Sequence, residues 1–82
     1  MMNETILENR EDLEWLRDVH AVDIFKWSGR NQGRAVCAII HGNEDCPERV
    51  ELFDRNHYRA KPFRVYVLNE ETRVLEIEGE GK

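Results

Sequence analysis

The chain reads as an α+β domain, one N-terminal helix packed on a four- to five-stranded antiparallel sheet. Three observations carry that expectation. Residues 9–19 repeat apolar side chains at helical spacing behind a capping residue. Residues 62–78 alternate between two faces on either side of a polar four-residue turn. The 82 residues, 40% hydrophobic and 35% charged, supply one small core, enough for one domain over residues 1–82 and too little for a two-lobed enzyme with a deep cleft.

Thr5-Ile6-Leu7 is a short strand or a lead-in to the helix. Asn9 is the N-cap, and Asp12 three residues later resembles a capping box with a shorter acid. Glu11, Asp12 and Glu14 crowd the first turns, where the helix dipole favours negative charge. Leu13, Leu16 and His20, with Trp15 and Val19, form an apolar stripe.

Residues 21–27 are rich in β-branched and aromatic side chains and read as a strand. Residues 34–41 read as a second strand. Its apolar run from Ala35 to Ile40 suits a central position covered on both faces. The turn-rich connector between them, residues 28–33, predicts that the two strands form one antiparallel hairpin. Residues 42–47 are a loop. Residues 48–53 admit two readings: a strand with Val50 and Leu52 on one face, or a helix capped by Asp45 with Val50, Phe53 and His57 as a stripe. The shortness of the run and the following Asp54-Arg55-Asn56 favour the strand. In the last hairpin Phe63, Val65 and Val67 alternate with Arg64, Tyr66 and Leu68. The turn is Asn69-Glu70-Glu71-Thr72, and residues 79–82 are a frayed tail.

Chemistry-bearing motifs are sparse. Cys37, His41, Cys46 and His57 are zinc-ligating types, but the tight Cys pair that opens structural sites is absent. On one strand Cys37 and His41 stand about 13 Å apart at ~3.3 Å per residue. No metal and no cofactor is therefore expected. Ser28 is the single serine, and no nucleophile motif surrounds it, so catalysis is not expected. The segment Ser28-Gly29-Arg30-Asn31-Gln32-Gly33-Arg34 has the glycines and arginines of a phosphate cradle, yet it leads into a strand rather than a helix N-terminus. Glu4 and Glu8 interrupt the first apolar stretch and the first base is Arg10, so no secretory signal is read. No apolar run approaches the ~20 residues of a membrane span. The expectation is a cytoplasmic protein with two free thiols and no membrane association.

Charge layout is more informative. The formal charge is −5, but acids and bases alternate in blocks. Residues 1–18 carry −4, 19–43 carry +2, 44–54 carry −4, 55–64 carry +4 and 65–82 carry −3. Nine of the twelve bases are arginine, a side chain that pairs bidentately and stacks on aromatic rings. Both basic stretches contain aromatics. Joined, they would place seven bases beside Trp27, Tyr58 and Phe63. Separate, they would be solvated surface, with Arg55 and Arg59 paired to Asp54, Glu51 and the acidic helix. The opposite polarity offers another surface: Glu4, Glu8, Glu11, Asp12, Glu14 and Asp18 could line a carboxylate face that mimics nucleic acid.

These patterns predict a small non-enzymatic protein that binds another macromolecule, as an accessory protein or inhibitor. The predicted contacts are Trp27, Arg30, Arg34, Arg55, Tyr58 and Arg59, residue types common at binding hot spots. A protein partner is expected, and the alternative is single-stranded nucleic acid or RNA on residues 26–34 and 55–64. A sheet edge offers a further contact, with partner strands or a second copy as a homodimer.

Overall fold

The helix begins where Asn9 caps it. In the computed structural model, which describes residues 4–28, 31–54 and 61–78 (26–28 and 31–34 by their backbone), β1 (Glu4–Leu7) leads into α1 (Arg10–His20). Asn9 is extended, at φ −92° and ψ 161°, and its side chain accepts from the Asp12 amide at 2.9 Å. That bond satisfies one of the orphan donors of the first turn. Leu13 and Leu16 face the core, and Trp15 packs against it half-buried. Val19 departs from the predicted stripe: it is 59% exposed, because the last turn overlies a surface cleft rather than the core. The helix stops at Ala21, which takes the left-handed conformation at φ 57°.

The predicted hairpin of residues 21–27 with 34–41 does not form. Phe25–Ser28 (β2) pairs instead with Asn31–Arg34 (β3) as a separate two-stranded ribbon. Residues 21–24 belong to no strand. Val22 and Ile24 are fully buried all the same. Alternating burial satisfied by packing, without a ladder, mimics a half-buried strand in the sequence. The ribbon ladder is prolonged by one bond, Ala35 N to Ile24 O at 2.6 Å. The chain then changes sheets, since Val36 N donates to Phe53 O at 2.9 Å. The apolar run 35–40 therefore spans a connector and a strand. Val36 is 39% exposed, and the strand proper is β4 (Cys37–Gly42).

β5 (Pro47–Phe53), β6 (Arg64–Asn69) and β7 (Val74–Ile77) complete an antiparallel sheet of order β1-β4-β5-β6-β7. Thr5-Ile6-Leu7 is thus a true edge strand, and residues 48–53 take the strand reading. The last turn sits one residue later than predicted, at residues 70–73, with Arg73 N bonded to Asn69 O. Gly42 absorbs a register shift in β4 at φ 102°. A side chain there would meet the Glu48 backbone nitrogen at 3.2 Å, so only glycine fits without strain.

Register separates the two sheet faces. Leu7, Ala38, Leu52 and, one row on, Ile40, Val50 and Tyr66 line the face beneath α1, and with Val22 and Ile24 they form the core. The other face carries Ile6, Ile39, Val65 and Val67 among charged side chains. β4 is therefore covered fully on one face only. On the other, Cys37 is buried while Ile39 and His41 are half-exposed.

Candidate functional site

The β2–β3 ribbon is the part of the predicted contact surface that the fold sets apart. It shares no ladder with the five-stranded sheet. Its register places Phe25 opposite Arg34 and Trp27 opposite Gln32, so these four positions share one ribbon face. Residues 25–34 carry three bases, Lys26, Arg30 and Arg34, and no acid. Phe25 is 42% exposed. Of the six predicted contacts, Trp27 and Arg34 lie in this ribbon. Arg30, Arg55, Tyr58 and Arg59 lie outside the described residues, and so does the junction of the two basic stretches.

A base outside the predicted set anchors the ribbon. Arg64 on β6 donates through Nη1 to the carbonyls of Asp23 and Phe25, each at 3.1 Å, and stands 3.2 Å from Asp23 Oδ2. Its guanidinium lies 5.9 Å from the Phe63 ring centroid, and its side chain is only 13% exposed. Beside it the Asp23 amide donates to the Tyr66 hydroxyl at 2.9 Å, and Asp23 Oδ1 accepts from Phe25 N at 3.1 Å. Arg64 and Tyr66 thus hold residues 23–25 against β6. The second basic stretch turns inward at this end, and Phe63 packs on the core.

A charged row crosses the open sheet face. Glu4, His41 and Arg49 are aligned by register across β1, β4 and β5. His41 Nε2 is 3.0 Å from Glu51 Oε1, and Nδ1 is 3.6 Å from Glu4 Oε2. Arg49 reaches Glu51 at 3.6 Å and Glu78 at 3.4 Å. Glu51 is therefore engaged by His41 and Arg49. Of the acids that could line a carboxylate face, Glu4 sits on the sheet face away from α1, Glu14 pairs with Arg10 and Asp18 with Arg17. The metal-ligating types are also dispersed. Neither Cys37, which is buried, nor Cys46, which is exposed, forms a disulfide, His41 lies between carboxylates, and His57 is outside the described residues. Among the described residues no group of three His, Cys, Asp or Glu is placed to hold a metal.

The sequence reading missed a cleft of about 270 Å³ between the end of α1, the 43–46 loop and the β6–β7 hairpin. Val19, Pro47, Leu68, Val74 and Leu75 make its apolar walls, and His20, Asp45, Cys46 and Arg73 its polar margin. Arg73 Nη2 donates to Cys46 Sγ at 3.3 Å, and His20 Nε2 lies 3.0 Å from Glu44 O. Ala21 and Arg73, the two positive-φ non-glycine residues among those described, both line it. That conformation costs an L-residue roughly 1–2 kcal/mol. Positive-φ alanine and arginine have no local sequence signal, since glycine or asparagine is the expected occupant.

No family model, curated protein or solved structure matches the chain. Among the described residues no helix is long and apolar enough to cross a membrane.

Proposed function

We propose that this is a small, non-enzymatic binding domain that engages an acidic surface of a partner protein through the β2–β3 ribbon, as an accessory protein or inhibitor working in the cytoplasm. The observation that carries the reading is the separation of an acid-free ribbon, with two aromatic residues and the bases Lys26 and Arg34, from the sheet of a chain whose net charge is −5. Trp27 and Arg34 are the contacts on the ribbon. Arg30, Arg55, Tyr58 and Arg59 extend the contact on composition alone. An aromatic and arginine cluster desolvates well against a carboxylate-bearing surface. The acidic remainder of the molecule repels polyanions, which favours protein over nucleic acid. Edge-to-edge homodimerisation has less support, because Glu4 on β1 and Glu76 on β7 would set like charges together.

The test is affinity capture from nuclease-treated lysate with the native chain and with the Trp27→Ala/Arg34→Glu double variant. The expected result is one discrete protein retained by the native chain and lost by the variant. Equal recovery by both removes the ribbon as the site. Loss of the captured species on nuclease treatment, with salt-dependent binding to single strands, would replace the protein reading with the nucleic-acid one.

A further inference from the structure

Five arginines have described side chains, and four of them face a carboxylate: Arg10 faces Glu14, Arg17 faces Asp18, Arg49 faces Glu51 and Glu78, and Arg64 faces Asp23. Arg73 differs. Among the described residues its guanidinium has the Cys46 sulfur as partner and no carboxylate. Asp45, on the same cleft, likewise has no cation among the described residues. The two charges border a space of about 270 Å³ walled by aliphatic side chains. Pockets for drug-sized ligands run to roughly 300–1,000 Å³, so this smaller space suits a small molecule with one apolar side chain. Val19 and Val74 on its walls are 59% and 52% exposed, so an entering apolar group would cover them.

From this combination we infer that the cleft binds a small zwitterion with an apolar side chain, an apolar α-amino acid, with its carboxylate on Arg73 and its ammonium on Asp45. A simple anion would meet Asp45, and a simple cation would meet Arg73. A zwitterion satisfies both while its side chain fills the apolar space. The site shares no residue with the ribbon, so it stands or falls independently of the proposed partner binding.

The experiment is an NMR titration of the full chain with L-leucine and L-phenylalanine, alongside glycine, N-acetyl-L-leucine and L-leucinamide. Saturable shifts confined to Val19, Ala21, Leu68, Val74 and Leu75 are expected from leucine or phenylalanine, and none from glycine. Each capped analogue binds about tenfold more weakly, one charge contact being lost in each. Arg73→Gly, which suits the positive φ and so keeps the turn, makes leucine and leucinamide equivalent. Asp45→Asn makes leucine and N-acetyl-leucine equivalent. The inference is overturned if neither amino acid gives saturable shifts, if the capped analogues bind as well as leucine, or if the two variants keep the native preference.

Discussion

The five-stranded sheet and the two-stranded ribbon are both antiparallel, yet different forces hold them. The sheet is fixed by burial: Ile40, Val50 and Leu52 are fully covered, and Leu16 of α1 closes over them. The ribbon is held to β6 at its base by polar contacts, through Arg64 and the Tyr66 hydroxyl. The lesson is that this chain separates what stabilises it from what it presents. A substitution in the sheet interior acts on folding. One on the ribbon beyond Phe25 is expected, on the proposed function, to act on partner binding instead.

That division can be broken in order of expected effect. Ile40→Ala leaves a cavity in the fully buried core and should cost about 2–5 kcal/mol. Against a total on the order of 5–15 kcal/mol, that loss lowers the urea midpoint steeply. A change below about 1 kcal/mol would mean the core is not centred on β4. Arg64→Ala should cost about 1.5–3 kcal/mol, because two carbonyls and a carboxylate lose a largely buried cation. Hydrogen exchange at the Phe25 and Ala35 amides should rise more than exchange in β4. Uniform acceleration would show that ribbon and sheet open together. Glu51→Gln breaks the ion pair to Arg49 and alters the contact with His41 on the open face, and should cost about 0.5–1 kcal/mol, diminishing with added salt. A salt-independent loss would point to packing instead.

The same contrast explains what could be read without a structure. The helix was legible because Asn9 and the spacing of Leu13 and Leu16 are local signals. The β6–β7 hairpin was legible because alternation and its turn lie within one short window. Residues 21–24 misled because Val22 and Ile24 are buried by packing in the core, while Asp23 between them is tied to Arg64 and Tyr66 of β6, some forty residues away. No periodicity distinguishes a segment with alternating burial outside a sheet from a strand within one. The pairing of β2 with β3 was hidden for a related reason, since Asn31 and Gly33 look like loop residues yet are paired. Of the proposed interaction surface, the placing of Trp27 and Arg34 on a strand pair apart from the main sheet was not legible from composition. Nor were the anchoring role of Arg64 and the cleft around Arg73, because both depend on which strands become neighbours.

The direct test of the central claim is partner recovery by the Trp27→Ala/Arg34→Glu double variant, measured on protein whose thermal unfolding is followed in parallel. The ribbon shares no ladder with the sheet, so the account predicts stability within about 0.5 kcal/mol of the native chain together with loss of the partner. Undiminished recovery by the folded variant, or recovery lost only in step with unfolding, would contradict it.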